Sequence, residues 1–221
     1  MTEMPFDLPP HSLPEALPIF PLAGVLLLPR GRLPLHVFEP RYVAMVEDAL
    51  LGDRMIGMIQ PFDPACRDDA PVVYPIGCAG RITAFRDTED GRYMITLSGL
   101  CRFRVGSELE GKRGYRRVRP VWEGFLDDLR EDPEPPLDRA RLLGALPDYL
   151  EEHEIVADWD TIKGAPDERL VTSLAMVCPF EPNEKQALLE APTLGKRAEL
   201  LTALVEMALV DARSGGRCVC H

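Results

Sequence analysis

Three soft ligands, Cys218, Cys220 and His221, fall within the last four residues of the chain. Theirs is the side-chain chemistry of a zinc site, which also takes a fourth ligand from a fixed frame. Cys66, Cys78, Cys101 and Cys178 offer no Cys-x2-Cys pair to supply it. The expectation is no metal and no cofactor, with these three residues the one candidate set in a reactive tail. Gly106-Ser107-Glu108-Leu109-Glu110-Gly111-Lys112 carries the front of a phosphate-binding loop, Gly-x4-Gly-Lys. Arg113 then stands where Mg²⁺ needs a Ser or Thr hydroxyl. The segment beyond Arg113 reads as a strand, not as the helix whose N-terminus would cradle phosphate. Two glutamates inside the loop would repel phosphate as well, so Gly106–Lys112 is expected to be a polar turn.

Nucleophilic catalysis needs a Ser or Cys beside an oriented base. Ser12, Ser98, Ser107, Ser173 and Ser214 stand in no Gly-x-Ser-x-Gly elbow. His36 lies in an apolar strand, where a satisfied core residue is the plainer reading than a base. The carboxylate pairs Asp127-Asp128 and Glu151-Glu152 fall on linker and helix surfaces. No enzyme is expected. Lys112, Arg113, Arg116, Arg117 and Arg119, with Tyr115 among them, form a basic patch of the kind that contacts nucleic acid. Alternation along a strand would equally leave those cations on a solvated face.

Composition narrows the partners. The 221 residues are 46% apolar and 28% charged, an ordinary balance for a globular chain with a real core. The net charge of −11 is uneven: residues 1–125 hold 15 basic against 16 acidic groups, and residues 126–221 hold 10 against 20. The second part would repel a polyanion. No run approaches the 18 or so apolar residues of a membrane span, and the first residues have no basic or apolar leader, so neither membrane nor secretory signal is expected. Six scattered cysteines read as reduced thiols.

The elements that must position these groups are read from periodicity. Residues 1–16 are Pro-rich and aperiodic, an expected flexible arm. Leu17–Leu22, Gly24–Pro29 and Leu33–Phe38 read as three short buried strands with Pro and Gly corners. At Pro40, which suits the first helical position, the spacing becomes helical through Val43, Val46 and Leu50. Arg54–Ile59 reads as a strand and residues 61–75 as a loop. Gly80–Arg86 and Arg92–Leu97 flank an Asp-Gly hairpin turn. Leu100–Leu109 and Tyr115–Val121 read as further strands, so a small barrel with one inserted helix is favoured over a parallel sheet. Residues 126–136 form an acidic, Pro-containing linker. Helical stripes then run over Leu137–His153, with Pro147 expected to kink or split it, and over 166–177, 182–190 and 192–212. They predict a four-helix bundle and an α+β chain, with 213–221 a tail.

Leu17-Pro18-Ile19-Phe20-Pro21-Leu22, Leu33-Pro34-Leu35-His36-Val37-Phe38-Glu39-Pro40-Arg41-Tyr42, Ile56-Gly57-Met58, Gly77-Cys78-Ala79-Gly80, Gly99–Arg104 and Met176-Val177-Cys178-Pro179-Phe180 carry a further signal. Together, and in order, they resemble the amino-terminal, substrate-binding domain of the ATP-dependent protease Lon. The resemblance implies a small PUA-like β-barrel (a pseudobarrel) over residues 17–125 and a helical bundle over 137–212. It also implies a role in recognising unfolded or tagged polypeptide, and a bacterial, cytoplasmic setting. The ATPase and peptidase domains of the protease have no room here, so a free-standing, non-catalytic member is expected, with polypeptide and a protease as partners. An RNA-binding PUA-like module, using the basic patch, is the alternative. For polypeptide, the residues singled out are Pro34, Leu35, Phe38, Glu39, Arg41 and Tyr42 at the strand–helix junction. The competing reading makes Glu39 and Arg41 an ion pair that fixes the junction, with Phe38 and Tyr42 in the core.

Overall fold

The computed structural model describes residues 12–66, 68–88, 90–130 and 137–215, with side chains as far as residue 211. The chain divides into two compact units, Met1–Asp132 and Pro133–His221.

Strands dominate the first unit. β1 spans Leu17–Pro21 and β2 Arg32–Val37; helix α1 spans Pro40–Leu51; β3 spans Met55–Ile59, β4 Ile76–Asp87, β5 Tyr93–Lys112 and β6 Tyr115–Val121. A 3-10 turn comes next, at Leu126–Leu129. The six strands form one sheet in the order β2-β5-β4-β3-β1-β6, and β5 pairs β6 as well. The sheet therefore folds back on itself without making a clean barrel. β5 explains how. Sequence alternation suggests two strands there, but register shifts that leave Leu100 and Gly106 as extra residues bend one strand of 20 residues. Its first part pairs β2 and β4, and its last part pairs β6. The Gly-Lys segment expected as a polar turn is the end of this strand, and the turn falls at Arg113 and Gly114.

One core cluster gathers Leu17, Ile19, Met55, Ile59, Ala79, Cys101, Phe103 and Val118, with Trp122, Phe125 and Leu129 packed against it. Buried Arg102 and half-buried Asp128 clamp the 3-10 turn to β5, their side chains 2.8 Å apart. The expected strand at Gly24–Pro29 is absent, although Leu26, Leu27 and Leu28 are buried. The backbone of Leu28 lies across Gly99, where a β-carbon would collide with the Leu28 carbonyl oxygen. Arg30 and Gly31 then bond the Gly99 carbonyl and amide at 2.9 and 2.8 Å. The segment thus packs leucines without joining a ladder.

In the second unit, α2 is Arg139–Glu152, α3 Trp159–Gly164, α4 Asp167–Val177, α5 Pro182–Glu190 and α6 Leu194–Gly215. The short α3 was not legible as a helix; Asp158 caps it by accepting from the amides of Asp160 and Thr161. α2 runs through Pro147 unbroken, burying Leu142, Leu146, Tyr149 and Leu150. The stripe Ala198, Leu201, Leu204 and Val205 is buried in α6, against which α2, α4 and α5 pack. Arg141 of α2 reaches Glu206 of α6 at 2.6 Å. Arg197 of α6 donates to the Leu188 carbonyl at the end of α5 at 2.9 Å.

Candidate functional site

The junction of β2 and α1 begins with Glu39 in the N-cap position and Pro40 inside the first turn. Glu39 caps no amide with its side chain. It accepts instead from Arg41, whose Nε and Nη2 lie 3.1 and 2.9 Å from one Glu39 oxygen. Arg41 Nη1 also reaches the carboxylate and carbonyl of Asp69, at 2.9 and 3.2 Å. Tyr42 is buried and stacks on Phe20 with ring centres 4.0 Å apart; burial pushes its hydroxyl's pKa up. Phe38 differs from all of these. It is 61% exposed and meets His36 edge-on at 6.0 Å. Pro34 is exposed and Leu35 half-buried on β2. The six residues are thus split: Tyr42 packs inward, Glu39 and Arg41 pair with each other at the half-exposed junction, Leu35 is half-buried, and Pro34 and Phe38 face outward.

Arg41 is one of two arginines that pin the 61–75 loop. The other is Arg116, whose Nη1 donates to the Pro71 carbonyl at 2.6 Å while its Nε holds Glu108 at 2.7 Å. The loop base is closed by an isolated bridge from Pro61 to Val73, and it exposes Phe62 and Val72 at 64% and 76%.

The basic patch is largely spent on the fold. Lys112 meets Asp48 at 3.2 Å, and Arg113 meets Glu47 at 2.7 Å and Asp48 at 3.3 Å, so both tie the β5–β6 turn to α1. Tyr115 donates to Asp48 at 2.8 Å; burial, then that carboxylate, push its pKa up to about 12. Arg117 and Arg119 lie along β6, half-buried and exposed. The structure therefore does not gather Lys112, Arg113, Arg116, Arg117 and Arg119 into one free cationic surface.

β2 ends the sheet, and among the described residues it pairs with β5 alone. On β5, Tyr93 turns toward α1 and donates to Glu47 at 3.2 Å. Pairing register lines up three rows on the opposite face: Arg32–Ser98–Arg81, Pro34–Thr96–Ala84 and His36–Met94–Arg86. Met94 is 43% exposed and receives a 3.3 Å contact from the Arg86 guanidinium. His36, expected to be enclosed, is exposed on this face. Sequence reading passed over Met94, Arg81 and Arg32. Alternation along β2 could have flagged Arg32 alone, because the rows that join it to Met94 and Arg81 depend on register across β4 and β5.

Reactive side chains lie elsewhere. Cys78, Cys101 and Cys178 are buried, as their apolar surroundings predict, and Cys66 is half-buried. Burial pushes Cys101 up to about 12, helped by Asp128, and does the same to Cys178. Among the described residues no cluster of His, Cys, Asp and Glu is arranged to hold a metal. Cys218, Cys220 and His221 lie outside the described residues. No helix of the described chain is long and apolar enough to cross a membrane.

Comparison with known proteins adds the family. The model of the ATP-dependent protease La (LON) substrate-binding domain matches residues 16–207. Lon protease 2 of Sorangium cellulosum is 29% identical over 205 residues, 89% of this chain and 25% of that protein. Lon protease of Dictyoglomus thermophilum is 26% identical over 204 residues, covering 87% of this chain and 24% of its own. The chain thus spans about a quarter of the length of these relatives. Among solved structures, the Lon N-terminal domain protein from Xanthomonas campestris superposes with a TM-score of 0.59 at 26% identity, covering 85% of this chain and 97% of that one. The N-terminal domain of Mycobacterium avium complex Lon protease shares the fold at a TM-score of 0.57 and 14% identity, covering 86% and 98%. With nearly its whole length matched, the chain belongs to the family of the LON substrate-binding domain.

Proposed function

We propose that this protein is a non-catalytic binder of unfolded or tagged polypeptide that serves as an adaptor or scaffold in cytoplasmic protein degradation. In this reading its first unit is a PUA-like pseudobarrel over residues 17–125, and the helices of 137–212 form a bundle behind an acidic linker. Family membership supports a role in substrate recognition. The single structural observation that carries the reading is Phe38, an aromatic ring 61% exposed beside the edge of β2 that no strand of the described residues pairs. An exposed aromatic at an open strand edge offers apolar contact together with backbone hydrogen bonds, the two things an unfolded chain supplies. Pro34 and Leu35 extend that surface. Glu39, Arg41 and Tyr42 hold it in place from behind.

The test is calorimetric titration of the full chain with a reduced, carboxymethylated model protein, without nucleotide. Saturable binding is expected. No heat with several such ligands, and no protease or client chain recovered by crosslinking from cells, would remove the proposal.

A further inference from the structure

We propose that the row Arg32–Ser98–Arg81 is a carboxylate site that anchors an acidic group of an extended polypeptide; the inference rests on the polypeptide-binding reading above. Ser98 is the direct register partner of Arg32 on β2 and of Arg81 on β4, so the two arginines stand on one face with a serine between them. Adjacent strands lie about 4.8 Å apart, which puts the two α-carbons about 10 Å apart. Two arginine side chains can close that span on the paired oxygens of one carboxylate.

The state of these arginines is the second observation. Arg81 Nε is buried and has no acceptor, alone in this respect among the side-chain atoms of the described residues. Buried donors are nearly always bonded, so this one has room for an acceptor, a water or a ligand oxygen. Arg32 is exposed, and among the described residues no ion pair engages either guanidinium. Arg41, Arg102, Arg113, Arg116 and Arg141 each hold a carboxylate, but Arg54, Arg86, Arg104, Arg117 and Arg119 have no ion pair among the described residues, so it is the buried, unbonded Nε that sets Arg81 apart. The floor of the row is neutral: Ser98 Oγ sits 3.1 Å from Thr83 Oγ1, which donates to the Thr96 carbonyl. Recognition therefore falls to the guanidinium groups, and no acidic residue occupies any of the three rows, in a chain with 36 acidic residues against 25 basic.

The neighbouring rows say what carries the carboxylate. Pro34–Thr96–Ala84 and His36–Met94–Arg86 lead from the arginines toward Phe38 along the edge of β2, which is open among the described residues. At about 3.3 Å per extended residue, His36 is about 13 Å and Phe38 about 20 Å from Arg32. A free small anion fills only the first row. An extended chain with an acidic group four to six residues from an aromatic one fills all three.

Two measurements on the full chain test this. In the first, sodium glutarate is titrated while the Nε–Hε resonance of Arg81, assigned by its loss in R81Q, is followed. A saturable shift that is weakened in R32Q is expected. No shift at tens of millimolar, or a shift with inorganic phosphate but not glutarate, overturns the site. In the second, labelled eight-residue peptides carrying a Phe are compared by anisotropy: Glu with an amidated end, Gln with an amidated end, and Gln with a free carboxyl end. A tenfold tighter Kd for the Glu peptide assigns a side-chain carboxylate, and for the free-ended peptide a chain terminus. R32Q and R81Q should abolish the difference. Equal binding of all three peptides overturns the carboxylate site and leaves polypeptide binding standing. A glutarate shift with no peptide binding overturns the proposal in its polypeptide form along with the reading it rests on.

Discussion

Arg41 and Asp69 are joined at 2.9 Å, so the first turn of α1 holds a loop that begins twenty residues further along the chain. The Asp69 side chain is 99% exposed, and a pair so solvated contributes under about 1 kcal/mol. Arg41→Ala also removes the half-exposed Glu39 pair, so global stability should fall by no more than about 1 kcal/mol. Backbone amides near 62–73 should exchange with deuterium severalfold faster. If their protection is untouched, Arg41 is not a staple of this loop.

Phe38 should separate binding from folding. At 61% exposure it contributes little to the core, so Phe38→Asp should stay within about 0.5 kcal/mol of the parent in urea unfolding. Affinity for an unfolded model protein should fall roughly tenfold, as for a central aromatic contact. Unchanged affinity would move the contact surface elsewhere, to Phe62 and Val72 in the first instance.

Gly99 tests the account of the missing strand. Adding a β-carbon drives it into the Leu28 carbonyl, which accepts from the Gly31 amide while Arg30 and Gly31 tie the segment to the Gly99 backbone. Gly99→Ala should cost about 3 kcal/mol, near the upper end for overpacking. A loss below about 1 kcal/mol would mean that the 22–31 segment shifts freely over β5.

Asp48 gives a pH signature. Burial opposes its ionisation, but the hydrogen bonds from Tyr115 and Lys112 prevail and hold its pKa below the usual carboxylate value. A depressed folded pKa stabilises fully above the unfolded value of about 4, and that stabilisation disappears as pH falls through the folded one. The stability gap between the parent and Asp48→Asn should be constant near pH 7 and shrink below about pH 4. A gap independent of pH would assign the loss to packing rather than charge.

What the sequence conveyed depended on whether the signal was local. Pro40 and the spacing of Val43, Val46 and Leu50 mark α1 without reference to anything else, and the Asp-Gly turn marks the β4–β5 hairpin. Leu26–Leu28 misled because an apolar run looks the same in a ladder as across a glycine. Only the distant Gly99 decides between them. The junction was legible as a motif, but which of its rings faced water was not: Phe38 and Tyr42 are four residues apart, and Phe20 covers only the second. Arg81 and Arg32 were invisible for the same reason, since Ser98 is what brings them together.

β1 lies between β3 and β6, and Leu17 pairs with Val118 roughly a hundred residues later. At 5–20 residues per second, the first strand leaves the ribosome on the order of 5–20 s before its outer neighbour has been made. During that interval the newborn chain carries a bare apolar ribbon, Leu17-Pro18-Ile19-Phe20-Pro21, whose two prolines lack the amide hydrogens that would zip it to a stranger.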